Sequence, residues 1–556
     1  MTAIDTTQLI IGEEPQYFFD NGIVERVSGV TRTLHSPEKV STNPLIGRDR
    51  PWEHVTYFSC NTWTLWRDAA TGRFHCLYTD WRFDRDRAAR SGGLIVDWDN
   101  ARLRQLYASS EDGVQWIKPA LGFVREGGAE TNVVFGSEDF GSAYNFTVIE
   151  DPLVSDPERR YKSLYTYIPR TVPATAHDMR VAYSPDGVQW RPAEERPTFG
   201  AQGAQLGDVA ITDYDPTTRT YLLFTRHPWQ AGAPSVGHWA ADTASGGTPR
   251  YDEMVGISSR RNRRRIFLCE SADFIHWSDP RLVLAPDPEV DNLDDAFYGM
   301  TPLRLGAQWI GFLNCFHMVS NTMNVELVHS RDGRTWRRVR PMHAWLDCGQ
   351  VGAFDEFMVN VPSRPVTVGE EVFVYYGGAK NHHDWWFAGP SENREAPHLW
   401  SHAPEVTDWS AVGYHLGLAK LRRDGYVSLD ARREREGVLV TQPFVSPGDA
   451  LVINAACGKD GYVTVEALDV FDQGIPGHAV GDCDAFTGDA TAHTVTWRGD
   501  ATLHMPDTPA PGGAKGPTPY RRLRFVMRDA QLYSFRVARS SAPQELSCAG
   551  RPVTEV

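Results

Sequence analysis

Four phrases of one pattern recur along the chain, and they limit its fold more than any other feature. They are Tyr107–Trp116 (YASSEDGVQW), Val181–Trp190 (VAYSPDGVQW), Leu268–Trp277 (LCESADFIHW) and Leu327–Trp336 (LVHSRDGRTW). Each reads as a short apolar strand, a Ser-x-Asp-Gly turn and a tryptophan that re-enters the core on the next strand. The third copy carries Asp273-Phe274 in place of Asp-Gly, so its turn is expected to differ. A second phrase, turn then aromatic strand, lies between these at Asp68–Tyr78, Asp156–Tyr165 and Asp215–Phe224. Gly306–Leu313 and Gly369–Tyr376 keep that strand with altered turns, and Tyr414–Tyr426 reads as the close of the last unit. Two interleaved repeats in register describe a four-stranded antiparallel unit repeated five times. The pattern predicts an all-β protein built on a five-bladed β-propeller rather than a stack of sandwiches.

From about Ser428 the pattern changes to short alternating strands, Leu451–Asn454, Tyr462–Leu468, His493–Trp497, Leu523–Met527 and Leu532–Val537, with a Gly/Pro-rich turn at Pro509–Pro517. This predicts a C-terminal β-sandwich. A chain of 556 residues exceeds one ordinary core. The expected division is therefore 1–427, a catalytic propeller with an N-terminal lead-in, and 428–556, the sandwich.

A net charge of −15 argues against nucleic acid or an anionic membrane as partner. No stretch approaches the roughly 18 apolar residues of a membrane span. Met1–Gly12 lacks a basic segment followed by an apolar run, which predicts a cytoplasmic protein. The cysteines form no CxxC pair, so reduced thiols are expected rather than a zinc site. Nucleotide loops, Gly-x-Ser-x-Gly elbows and His-Glu-x-x-His helices are missing too, which leaves carboxylate chemistry as the natural candidate.

Propeller blades converge their first strands on a central funnel. Asp208, Asp295, Asp355 and Glu356 each stand at the start of an apolar strand, where no turn requires a carboxylate, and Glu53 precedes the first blade. Asp112, Asp186 and Asp332 have a sufficient role in their hairpins. Hydrolysis of a glycosidic bond needs two carboxyls, one protonating the leaving oxygen and one attacking or activating water. Candidate substrate contacts are Arg226 at a strand end, Tyr298 and Asn61 on first strands, and His382, His383 and Trp385 on one loop. The basic run Arg260–Arg265 reads as a solvated hairpin.

The Asp151-Pro152 pair of Ile149–Pro152, read as opening the second blade, resembles the Arg-Asp-Pro motif of the five-bladed glycosidases of glycoside hydrolase families 32 and 43. The wider phrase pattern, from Val27–His35 and Pro51–Glu53 to Leu532–Phe535, is similar to a divergent bacterial group loosely assigned to family 32. The resemblance implies that Asp151 stabilises the transition state by contacting sugar. It implies that Asp208 stands nearest the general acid, and that a nucleophile or base aspartate belongs on the first blade. The first-blade strand Tyr57–Trp66 has no carboxylate. The catalytic group is therefore drawn from Glu53, Asp208, Asp295, Asp355 and Glu356, with Asp151 in support.

The first reading is a glycoside hydrolase on a small-molecule or oligosaccharide substrate, a fructo- or arabinofuranoside by fold analogy. The alternatives are a glycosyltransferase or phosphorylase, whose phosphate pocket would need Arg226 or the Arg261–Arg265 run, and a non-catalytic carbohydrate-binding propeller. No cofactor or catalytic metal is expected. The resemblance allows a structural calcium on the axis, and a homo-oligomer is compatible with the sequence.

Overall fold

The computed structural model describes residues 9–82, 102–136, 142–168, 178–200, 206, 209–226, 264–287, 289–292, 294–318, 320–383, 411–503 and 520–540. They are almost entirely strand. The single helical element among them is a 3₁₀ turn, Pro157–Arg159. No helix among them is long and apolar enough to cross a membrane.

The repeat phrases form antiparallel meanders. In the first sheet Phe74–Arg82 pairs with Arg102–Ser110 on one side and with Thr56–Tyr57 and Trp63–Arg67 on the other. Its first strand is thus split around Ser59–Thr62. The second sheet runs Ser142–Glu150, Tyr161–Ile168, Asp178–Ser184 and Arg191–Pro192 in sequence order. The third centres on Ala210–Asp215, Thr220–Thr225 and Ile266–Ser271. Two further meanders are joined in one sheet by a parallel contact between Met323 and Met358. One is Asp295–Leu305, Gln308–His317, Thr322–Ser330 and Arg337–Arg338. The other is Met358–Asn360, Glu371–Ala379 and Tyr414–Arg422, and its outer strand is Glu38–Lys39 from near the N-terminus.

That outer strand corrects the sequence reading of the last unit. After Arg422 the chain turns through Asp424 and Gly425 and leaves the meander. Val427–Ala431 pairs instead with Val30–Leu34 and with the long strand Arg522–Ala538. The resulting eight-stranded sheet also takes in Gln16–Tyr17 and Val24–Ser28, so N-terminal and C-terminal residues share one layer. Its longest strand, Ala450–Leu468, is broken by register shifts at Asn454/Ala455 and Cys457/Tyr462. Such bulges bend a strand and change its partners. The sheet packs on the fourth and fifth meanders through one apolar cluster that includes Phe312, Trp345, Tyr426, Phe525 and Phe535.

The Ser-x-Asp turns share one construction. The serine hydroxyl accepts the N–H of Gly113, Gly187, Phe274 or Gly333 at 2.8–2.9 Å. The aspartate Oδ1 accepts the N–H groups two and three residues further on at 2.6–2.9 Å. In three copies the tryptophan Nε1 donates to the carbonyl of the positive-φ residue. The third copy was expected to differ and does not. Phe274 takes φ 70°, beside 77°, 77° and 69° for the three glycines. A left-handed phenylalanine is costly. Here the ring is fully buried and packs on Tyr221 and Trp277, at centroid distances of 5.3 and 5.4 Å. At Gly187 a Cβ would come within 2.5 Å of the Trp66 ring, so that copy has no space for the same solution.

Candidate active site

Alternation within a strand sends every second side chain to the same face. At the end of the meanders opposite the Ser-x-Asp turns, this brings side chains from all five together around Tyr298. Arg226, just past Thr220–Thr225, lies 4.1 Å from the Tyr298 ring centroid. Arg264, just before Ile266–Ser271, lies 4.9 Å from it and 5.2 Å from Phe316. His383 meets Tyr298 edge-on at 4.9 Å and Phe316 at 4.7 Å. The first meander adds Tyr57 and Cys60 and the second adds Tyr144, which share one buried cluster with Tyr298. Tyr414 closes the ring against Tyr57 at 4.7 Å.

Burial governs the protonation of this cluster. It pushes the Cys60 thiol up to about 11, which leaves no thiolate for nucleophilic attack at neutral pH. It also raises the Tyr298 phenol, with Arg226 opposing, and lowers the Arg226 guanidinium, with Tyr298 opposing. Three non-glycine residues near these strand ends hold left-handed backbone: Cys60 at φ 48°, Asn145 at 55° and Asn321 at 59°. The Asn321 carbonyl accepts the His383 N–H at 3.1 Å.

Beside the cluster, Asp295 opens the strand that carries Tyr298 and is buried. Its Oδ1 is 2.6 Å from His317 Nδ1, and its Oδ2 accepts the Asn292 N–H at 2.9 Å. Burial pulls His317 down, but the Asp295 hydrogen bond and charge, with Asn324 and Asp294, hold it above its ordinary value. An imidazole and a carboxylate in this contact can exchange and hold a proton.

The other carboxylates expected at the funnel have different surroundings. Glu53 is buried and bonded within the protein on both oxygens: it accepts Tyr78 Oη at 2.8 Å, the Asp49 and Arg50 N–H groups, and Lys118 Nζ at 2.7 Å. Asp355 accepts Lys39 Nζ at 2.6 Å and Tyr376 Oη at 3.1 Å. Glu356 is half-buried and accepts the Gly352 N–H. Asp151 follows the far end of Ser142–Glu150, while Tyr144 stands near its start, a separation of roughly 23 Å at 3.3 Å per residue. It pairs with Lys162 at 2.8 Å and accepts the Tyr221 hydroxyl. This corrects the placement of Asp151 at the head of the second sheet: the Asp-Pro pair closes the first strand there instead of opening it. Asp208 and Trp385 lie outside the described residues.

Of the expected substrate contacts, Arg226, Tyr298 and His383 are brought together. Asn61 is buried next to Cys60, and His382 sits on Phe357 at 4.1 Å. The solvated-hairpin reading of the arginine run fails for Arg264, whose guanidinium covers two aromatic rings. Sequence reasoning also passed over Tyr57, Cys60, Tyr144, His317 and Tyr414. Their one common signal is position, at a strand end facing the same side as Tyr298. Among the described residues no group of three His, Cys, Asp or Glu side chains is placed to hold a metal ion.

No family model and no curated protein matches the chain. Solved structures similar to it include an N-acetylgalactosamine deacetylase from F. plautii, at 13% identity over 71% of this chain and 96% of that one, TM-score 0.40. A glycosyl hydrolase from Bacteroides ovatus is similar at 13% identity over 70% and 94%, TM-score 0.40. A β-1,2-mannobiose phosphorylase from Listeria innocua is similar at 10% identity over 69% and 96%, TM-score 0.41.

Proposed function

We propose that the chain is a carbohydrate-active enzyme of the glycoside hydrolase type, working at the Tyr298 cluster. In this reading the five meanders are the blades of a propeller and the eight-stranded sheet is a C-terminal β-sandwich. The division falls near residue 427, with the N-terminal strands returning to the second unit. The observation that carries the reading is convergence: residues from all five meanders meet at one end in a patch of aromatic faces, guanidinium groups and imidazole. Aromatic faces stack on sugar rings, and hydrogen-bonding cations and imidazole fix hydroxyls.

Asp295 supplies one carboxyl of the hydrolytic pair, with His317 hydrogen-bonded to it. Asp208 and Glu356 are the candidates for the second, and their separation from Asp295 sets retention or inversion. The substrate is a small glycoside or oligosaccharide, a fructo- or arabinofuranoside in the first instance. A phosphorylase is the second reading, favoured by the two guanidinium groups over one ring. Hydrolysis of aryl glycosides and of fructan and arabinan oligosaccharides, with and without phosphate, tests both. Turnover without phosphate that Asp295→Asn abolishes supports the hydrolase. Turnover that requires phosphate supports the phosphorylase, and sugar binding without turnover under either condition overturns both.

A further inference from the structure

A second cluster of basic groups adjoins the Tyr298 site, with Tyr414 in the wall between them. Residues 45–46 pair with Leu416 of the strand Tyr414–Arg422 and carry Arg48 over its start. Arg48, His54, Lys380 and His415 line a cavity of about 110 Å³ there, with Thr56 and Gly413 in its walls. That is the space of roughly three or four water molecules. It has room for a tetrahedral oxyanion.

Two glycines let the basic groups close in. A Cβ on Gly47 would lie 2.6 Å from the His415 ring, and one on Gly413 would lie 2.7 Å from the Lys380 stem. The charges in the cavity are also left without acidic partners. Elsewhere in this acidic chain arginines and lysines repeatedly find carboxylates, as Lys118 does with Asp49 and Glu53. Among the described residues neither Arg48 nor Lys380 has a carboxylate partner, and Arg48 donates only to the His54 carbonyl at 3.0 Å. Two cations facing one small polar cavity raise the potential inside it.

We propose that this cavity is a phosphate-binding site, with Arg48 and Lys380 neutralising the group and His415 and His54 completing the hydrogen bonds. The phosphate arrives either as the free inorganic anion or as a substituent on a sugar. Guanidinium and ammonium together match its charge near neutral pH, and their bonds to it are charge-assisted.

His415 reports occupancy. Burial, then Lys380, Arg48 and Lys118, hold its imidazole down at about 4. The groups facing it are Lys380, Arg48 and His54, Lys118 with its partners Asp49 and Glu53, and the Phe354 ring. An anion in the cavity favours the charged imidazole, so binding raises the His415 pKa and tightens as pH falls toward it.

The test is calorimetric titration of the full chain with sodium phosphate and, separately, glucose 6-phosphate, at constant ionic strength with chloride as control. Saturable binding of either probe is expected, weakened about tenfold or more by Lys380→Met and by Arg48→Met. Inorganic phosphate binding alone assigns the free anion; tighter binding of the ester assigns a sugar-borne group. Binding of neither probe above chloride, or binding unchanged in both variants, overturns the site. If a variant misfolds, NMR of histidine-labelled wild-type protein decides. The His415 pKa rises with phosphate if the site exists and stays fixed if it does not. Because no turnover is measured, failure of the hydrolytic reading leaves this outcome untouched.

Discussion

The two ends of the meanders use polar residues in opposite ways. At the Ser-x-Asp end each turn aspartate is bonded to the backbone of its own turn. Those bonds hold Asp112 and Asp186 below the ordinary carboxylate range and, against the opposing effect of burial, hold Asp332 at about 2. At the other end, burial raises the Cys60 and Tyr298 protons, the cations lie over rings rather than on carboxylates, and left-handed residues stand in or beside the first strands. One end satisfies its polar groups within a few residues of chain. The other brings many of them together between sheets. Local satisfaction gives rigidity, and non-local satisfaction leaves groups that a ligand can engage.

If that contrast is right, substitutions at the two ends separate activity from stability. The largest effect is expected for Asp295→Asn, a loss of about 10²–10⁴ in kcat with little change in melting temperature, measured by steady-state kinetics on the active glycoside. Unchanged kcat would remove Asp295 from the chemistry.

Next comes Glu53→Leu, which leaves the buried Lys118 ammonium only the exposed Asp49 as carboxylate partner, removes the acceptor of the Tyr78 hydroxyl and of the Asp49 and Arg50 N–H groups, and costs about 3–5 kcal/mol in denaturant unfolding. Turnover per folded molecule stays at the wild-type value, and a specific loss of turnover would return Glu53 to the catalytic set. Gly187→Ala is expected to cost about 1–3 kcal/mol, since it places a Cβ against Trp66 at a φ of 77°. Asp186→Ala removes acceptors from the Val188 and Gln189 N–H groups and costs about 1–2 kcal/mol. Neither should change kcat.

The smallest effect concerns pH. His317 is held above its ordinary value in the fold, so its pairing with Asp295 stabilises fully below about pH 6.5. That contribution is lost as pH rises through the raised folded value. Asp295→Asn should lower the His317 pKa in an NMR titration and flatten this slope. A His317 titration unaffected by the substitution would separate the two groups.

The turns were legible in the sequence because their bonds are local. Ser110, Asp112 and Gly113 carry all the chemistry their turn needs, and so do the later copies. Phe274 was misread because a left-handed phenylalanine is unfavourable alone and tolerable only with its ring packed on Tyr221 and Trp277, two contacts a local phrase does not encode. The site was legible in part. Arg226, Tyr298, His383 and Asp295 were singled out from their positions at strand ends. Glu53 and Asp355 stood at similar positions but are neutralised by Lys118 and Lys39, residues distant in the chain. Arg264 looked like part of a solvated basic run until the fold laid it over Tyr298 and Phe316.

By itself, then, the sequence determined the repeating unit, because hairpin turns, strand alternation and buried tryptophans act over about ten residues. Only the tertiary structure decided which acids are structural, that Glu38–Lys39 completes the last meander and that the strands after Gly425 belong to another sheet. It also gathered two arginines, a histidine and a phenylalanine around the Tyr298 ring. Those outcomes depend on which strand ends meet in space, and on whether a charge finds its partner across a sheet, which no local pattern specifies.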